Sequence, residues 1–144
     1  MQHLKLAVAL WTVGLGAVAS PSLAAPTPSP QAVVEAKFAA VNRHAIADIV
    51  ALYAPDAQLT AADFCKARQG RAEVERTYKA IFAAAPDVRI EITDIVAQGS
   101  RVAVKFVLHG GAYQLPIMDF FTVENGLITR DDGLFDNRGR ACTP

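Results

Sequence analysis

The residue best suited to chemistry is Asp119, a carboxylate set inside an apolar segment. Residues 115–121 read LPIMDFF, so in a strand Asp119 would share one face with Ile117 and Phe121. Burial on that face would raise the pKa of the carboxyl, because desolvation disfavours the charged form. We expect Asp119 to contact a ligand in a pocket and to donate a hydrogen bond or a proton near neutral pH. The alternative is a buried aspartate that accepts hydrogen bonds and only stabilises the fold.

A second carboxylate is expected close to Asp119 on the next strand. Asn125-Gly126 is a strong hairpin signal. A three-residue loop at 124–126 would place Asp131 opposite Asp119, and a two-residue loop would place Asp132 there. Facing side chains on paired strands lie about 5 Å apart, so repulsion between the two carboxylates would raise one pKa further. The competing interpretation is that both acids are solvated or paired with nearby basic residues.

The N-terminus predicts export. A short positive region ending at Lys5 precedes an apolar stretch from Leu6 to Ala19, and SLA at 22–24 fits a signal peptidase site. The apolar stretch is shorter than the roughly 20 residues that span a bilayer. We therefore expect residues 1–24 to be a cleaved signal peptide and the product to be periplasmic or secreted, without stable membrane insertion.

Two cysteines remain after that cleavage, Cys65 and Cys142. In an oxidising compartment an even count favours pairing, and a Cys65–Cys142 bridge would stabilise the fold by about 4 to 5 kcal/mol in the chain-entropy model. No Cys-x-x-Cys pair or histidine cluster is present. We expect no metal and no cofactor. The formal net charge of 0 argues against nucleic-acid binding.

The elements that position these residues follow from periodicity. Residues 25–30 form a Pro-rich linker that ends as a helix start, with Ser29 as N-cap and Pro30 at the first helical position. A helix from Pro30, a second through Tyr53, a short strand at 57–61 and a third helix at 71–84 come first. Four antiparallel strands follow, near 88–96, 102–108, 115–123 and 127–135. Helices on one face of a sheet give an α+β fold, with residues 31–144 as one domain.

This order resembles the nuclear transport factor 2-like superfamily, which includes SnoaL-like polyketide cyclases and ketosteroid isomerases. The residues that carry the resemblance are DIVALYAPDA at 48–57, Gly70 before the third helix, and NGLI at 125–128. It implies a cone in which a curved sheet wraps around three helices and encloses a mostly apolar pocket. The resemblance covers about residues 31–136, and it specifies the fold better than the function.

The resemblance also bears on the site. The segment MDFFTV at 118–123 is similar to the ketosteroid isomerase segment whose aspartic acid stays protonated, a case already well described. It favours Asp131 over Asp132 as the second acid, because Phe135 then lines the pocket as its counterpart does in relatives. Tyr53 is a further candidate ligand contact, although its spacing also suits the core. However, the isomerase tyrosine falls near Lys37 or Phe38, and its general base falls near Ala61.

Three functions follow from these observations. The first is an exported domain that binds a small, mostly apolar ligand in its cone through Asp119. The second is an acid/base enzyme, cyclase- or isomerase-like, that uses Asp119 and Asp131 for proton transfer. The third is a homodimeric interaction module that packs through the outer face of the last strands, around Met118 and Phe120. The sequence leaves open whether the domain is an enzyme.

Overall fold

The protein is an α+β domain in which three helices pack against one face of a curved, six-stranded sheet. The computed structural model describes residues 27–111 and 113–143. The helices are α1 (Pro30–Asn42), α2 (Ile46–Ala51) and α3 (Arg71–Ala84). The strands are β1 (Tyr53–Ala61), β2 (Arg68–Gln69), β3 (Arg89–Gln98), β4 (Arg101–Gly110), β5 (Tyr113–Glu124) and β6 (Leu127–Leu134).

The sheet order is β2-β1-β6-β5-β4-β3. All neighbouring strands run antiparallel except β1 and β6, which are parallel and bring Tyr53 beside Ile128. β1 thus places the N-terminal half of the chain beside the β5–β6 hairpin. The two halves of the sequence therefore meet beside the middle of β6, where Asp131 lies opposite Leu59.

The start of α1 is the one that the sequence predicted. The Ser29 side chain accepts a hydrogen bond from the backbone N–H of Ala32 at 3.2 Å, and Pro30 is the first helical residue. The interpretation of residues 1–24 as a signal peptide, and the first two residues of the linker, lie outside the described residues.

The second helix is shorter than predicted. It ends at Ala51, and Tyr53 already begins β1, four residues before the predicted strand start. Pro55 accounts for the difference, because a proline disfavours the α conformation of the residue before it and cannot donate a helical hydrogen bond. Tyr53 therefore belongs to the sheet, and its side chain is completely buried.

The core lies between the helices and the concave face of the sheet. Its largest fully buried side chains include Tyr53, Phe121, Ile49 and Ile128. The ring of Phe38 in α1 packs at a tilt against Phe106 and edge to face against Phe121, with ring centroids 4.9 and 5.9 Å apart. No helix among residues 27–111 and 113–143 has the length and apolar character needed to cross a membrane.

Candidate functional site

A pocket of about 670 Å³ opens between the helices and the sheet. Its walls are mainly apolar, and they come from α1, α3, the concave face of the sheet and the segments that follow β1 and β6. The apolar wall includes Phe38, Val41, Ile81, Ile90, Phe106, Leu108, Leu115, Ile117 and Phe135. This size and lining are typical of sites for small organic molecules.

Asp119 lies at the buried end of this pocket. Burial alternates along β5 as predicted, so that Ile117, Asp119 and Phe121 face inward while Met118 and Phe120 face outward. Asp119 is 6% exposed and lines the pocket. Burial, helped by the negative charge of Asp131, raises the pKa of Asp119 from 3.8 to about 7. The carboxyl can therefore hold or release a proton near neutral pH.

Lys37 of α1 places an ammonium group beside this carboxyl. Its Nζ lies 3.7 Å from Oδ2 of Asp119 and 3.9 Å from Oδ2 of Asp131, and the residue is only 3% exposed. The same nitrogen lies 4.1 Å from the ring centroid of Phe38 and 4.7 Å from that of Phe121. Burial alone would lower the pKa of Lys37, but Tyr78, Asp131 and Asp119 together raise it above its ordinary value. Lys37 is thus a cation at neutral pH and not an amine nucleophile.

Asp131 lies on the same face of the sheet as Asp119 and also lines the pocket. It is 8% exposed, and it accepts a hydrogen bond of 2.5 Å from the hydroxyl of Tyr53. Burial, and then the charge of Asp131, raises the pKa of Tyr53 well above its ordinary value, so this hydroxyl keeps its proton. Tyr53 does not line the pocket itself. It supports Asp131 from behind, which differs from the direct ligand contact that the sequence suggested.

Asp132 points to the other face of the sheet. It accepts a hydrogen bond of 2.6 Å from Thr60 and pairs with Arg130 at 3.1 Å. Its partial burial works to raise its pKa, but Arg130 and Thr60 outweigh that effect and lower it. Asp132 is therefore a solvent-side ion-pair residue and not part of the pocket.

The register that places Asp131 in the pocket is neither of the two predicted. The turn has two residues, Asn125 and Gly126, and Glu124 pairs with Leu127. A bulge in β6 at Thr129 then shifts the pairing by one residue, so that Asp119 faces Gly133 and Phe121 faces Asp131. The three-residue loop was thus wrong, but the extra bulge residue puts Asp131 on the pocket face. Asp119 and Asp131 are diagonal neighbours and not directly opposed.

Because Gly133 has no side chain, there is room beside it for the carboxyl group of Asp119. A Cβ atom at this position would lie 3.1 Å from Oδ1 of Asp119, which is closer than ordinary van der Waals contact. Phe135, two residues further along the chain, lines the pocket as predicted.

Cys65 and Cys142 form the predicted disulfide. Among the described residues there is no cluster of three or more His, Cys, Asp or Glu side chains that could hold a metal ion.

The sequence interpretation missed Lys37 and Tyr78 as members of the site. Lys37 lies three and four residues from Val34 and Val41, on the apolar face of α1, and that position was the available signal. Tyr78 was assigned to the apolar side of α3, and its hydroxyl lies beside Lys37 at the buried end. The burial of Tyr78 raises its pKa despite the opposing charge of Lys37.

Comparison with known proteins agrees with this architecture. A family model described as a SnoaL-like domain matches residues 34–131. A candidate ketosteroid isomerase from Kribbella flavida is 25% identical, with a TM-score of 0.66 over 80% of this chain and 81% of that one. No match was found among curated proteins.

Two candidate polyketide cyclases share the fold at lower identity. IdmH of Streptomyces antibioticus is 20% identical, with a TM-score of 0.69 over 77% of this chain and 94% of its own. A protein from Xanthomonas campestris is 24% identical, with a TM-score of 0.64 over 76% of this chain and 91% of its own. Because the family model spans well over half of the sequence, the chain belongs to the SnoaL-like family and has the nuclear transport factor 2-like fold of ketosteroid isomerase-like and cyclase-like proteins.

Proposed function

We propose that this is an exported SnoaL-like domain that binds a small, mostly apolar molecule in its pocket, with the carboxyl of Asp119 as the polar contact. The observation that carries the proposal is the state of that carboxyl. It is 6% exposed, it lines the pocket, and its charged partner Lys37 lies 3.7 Å from Oδ2. Buried polar groups nearly always have a partner. A ligand oxygen would be a second partner, one that accepts a hydrogen bond from the carboxyl when Asp119 is protonated.

Asp119 would act as a hydrogen-bond donor in this complex. Its pKa is raised to about 7, so the carboxyl is protonated below that pH and ionised above it. A ligand with an acceptor oxygen binds the protonated form, and its affinity should fall by up to about tenfold per pH unit as the pH rises beyond 7. Below about pH 6 the affinity should become independent of pH.

The experiment is native mass spectrometry of the mature protein purified from its own exported compartment, alongside variants of Asp119. Asp119→Asn keeps a side-chain donor, so we expect it to retain the ligand and to lose the pH dependence. Asp119→Leu keeps the approximate size but has no polar atom, and we expect it to release the ligand. Asp132→Asn changes an acid on the outer face of the same hairpin and should behave as wild type. Retention of the ligand by Asp119→Leu would overturn the proposal.

An acid/base enzyme is a second candidate, since Asp119 with a pKa of about 7 lies beside a second carboxyl and a lysine. Such a group suits proton transfer on a carbonyl-containing substrate, and the candidate isomerase and cyclases of the same fold support this class. In that case Asp119→Asn would bind the substrate but stop its turnover. Ala61, at the position of the isomerase base, has no side chain for proton transfer.

A homodimeric module is a third candidate, supported by the outer face of the sheet. Met118, Phe120 and Leu134 are 42%, 43% and 56% exposed and lie side by side on β5 and β6. Contiguous exposed apolar side chains are typical of interaction surfaces.

Export is proposed from residues 1–24, and the disulfide supports it. Cys65 and Cys142 are both on the surface, where the reducing cytosol would keep them as thiols.

A further inference from the structure

The disulfide joins two segments that otherwise have no regular secondary structure. These are the loop 62–67 after β1 and the C-terminal segment 136–143 after β6. Backbone hydrogen bonds run from the Cys65 N–H to the Thr143 carbonyl at 3.0 Å and from the Thr143 N–H to the Asp63 carbonyl at 2.6 Å. Asn137 also donates to the Ala62 carbonyl at 3.0 Å. We call the two segments together the clasp.

The clasp forms one wall of the pocket. Asp63 and Phe64 from the loop and Thr143 from the C-terminal segment line the cavity, and Phe135 lines it immediately before the C-terminal segment begins. Arg68, another lining residue, donates to the Thr143 hydroxyl at 3.0 Å and lies over the Phe64 ring at 3.7 Å. Any displacement of the C-terminal segment would therefore remove part of the pocket wall.

The covalent link of the clasp is accessible from solvent. Both Cys65 and Cys142 are exposed, as is Thr143 beside them, so the bridge lies at the surface of the domain and not in its core. Exposed disulfides are often the labile ones in a protein. Most of the core lies between the three helices and the sheet, and Phe64 is the clasp residue that packs against it, so we expect opening of the clasp to leave most of the core in place.

We propose that the Cys65–Cys142 disulfide is a redox-controlled latch on the pocket, which closes one wall when oxidised and releases it when reduced. A dithiol reductant attacks one sulfur through its thiolate and forms a mixed disulfide, and the other sulfur leaves as a thiolate and takes a proton. The second thiol of the reductant then resolves the mixed disulfide. The two-electron balance is one protein disulfide and one dithiol giving two protein thiols and one oxidised reductant. The ligand-release part of this proposal rests on the proposed pocket function, and the opening of the wall does not.

Hydrogen exchange measured by mass spectrometry tests the opening directly. The oxidised protein, the protein reduced with dithiothreitol, and a Cys65→Ser/Cys142→Ser variant would be compared. We expect exchange in 62–67 and 136–143 to accelerate at least about tenfold on reduction and in the variant, while β4 and β5 keep their protection. Unchanged exchange in the clasp, or an equal acceleration throughout the sheet, would overturn the latch.

Release of an uncharged hydrophobic dye, Nile red, tests the effect on the pocket. We expect the dye to dissociate at least about fivefold faster from the reduced protein and from the double variant. Ile49→Val, a buried change in α2 that does not line the pocket, is the control for a general loss of stability and should leave the rate unchanged. Local opening without faster release would show that the clasp does not control the pocket. Failure of the dye to bind the oxidised protein would count against the pocket function. The exchange data would still test whether reduction opens the clasp.

Discussion

Lys37 carries its ammonium group into a site that has two carboxyls and two aromatic rings. A buried charge costs several kcal/mol to desolvate and needs close partners to offset that cost. The partners here are Asp119 and Asp131 at 3.7 and 3.9 Å, with the faces of Phe38 and Phe121 adding cation–π attraction. Lys37 is therefore the residue that allows two acids to share the buried end of an apolar pocket.

Replacement of Lys37 by methionine tests this interpretation. The change keeps the length of the side chain and removes the charge, so the two carboxyls lose their shared cation. We expect the free energy of unfolding to fall by about 3 kcal/mol at pH 8, in the range for breaking a buried ion pair. Chemical denaturation at pH 5 and pH 8 would measure the loss.

The loss in the free energy of unfolding should be smaller at pH 5 than at pH 8, because Asp119 is protonated at the lower pH. Its folded-state pKa, about 7, is already above the ordinary value of 3.8, so stability declines as the pH rises between the two. Without Lys37 that pKa rises further, because an attraction that lowers it is gone, and the decline continues to higher pH. At pH 5 Asp119 is protonated in both proteins and contributes no difference. An equal loss at the two pH values would contradict this account.

Lys79→Met is the matched control. Lys79 pairs with Glu75 on the exposed surface of α3, and both side chains are largely in solvent. Exposed helical pairs of this kind contribute at most about 0.5 kcal/mol, so the control should unfold nearly as the wild type does at both pH values.

The sequence could predict the two acids of the site better than the lysine. Asp119 and Phe121 follow the two-residue period of a strand, which fixes the face that each side chain occupies. Lys37 lies on the apolar face of a helix, where a long side chain ordinarily extends its charged end to solvent. Only the position of β5 and β6 across from α1 shows that the ammonium points inward to the acids.

At the scale of elements, the β5–β6 hairpin sets the geometry of the site. Its turn has positive φ angles at both central residues, 52° at Asn125 and 77° at Gly126, as a tight hairpin of this kind requires. The Asn-Gly pair predicts this turn from the sequence, whereas the sequence did not predict the bulge at Thr129. A bulge depends on how the sheet curves over the helices, and that curvature cannot be predicted from a short segment of sequence.

Gly126→Ala should weaken this hairpin. Alanine is strained at φ 77°, and its Cβ would lie 3.4 Å from the Thr27 methyl group. We expect a loss of about 1 kcal/mol in the free energy of unfolding, measured by urea denaturation. Asn125→Gly is the control, because glycine accepts the positive φ without strain, and it should be close to neutral. Equal stability of the two variants would mean that this turn does not constrain the hairpin.

At the scale of the whole molecule, the α+β class and the curved sheet were predictable, since the order of helices and strands is legible in the sequence. The return of β1 to β6 as a parallel pair was not predictable, because it joins Tyr53 to Ile128, which lie about half the chain apart in sequence. That pairing also places the Tyr53 hydroxyl under Asp131. A contact between residues so far apart in sequence follows from topology and not from local propensity.

The outer face of the sheet has the composition of a self-association surface. Met118, Phe120 and Leu134 form an exposed apolar surface, and Arg130 and Asp132 lie beside them as an ion pair. A twofold interface needs a surface that can pack on a copy of itself, and an apolar centre with charges of both signs at its edge satisfies that need.

We expect the oxidised protein to be a dimer by light scattering, and Phe120→Glu to be a monomer because it buries a carboxylate at the centre of that interface. Tyr113→Glu, at a 78% exposed position near the start of β5, is the control and should remain a dimer. A monomeric wild type at micromolar concentration would exclude the dimer and leave the pocket as the functional feature of the domain.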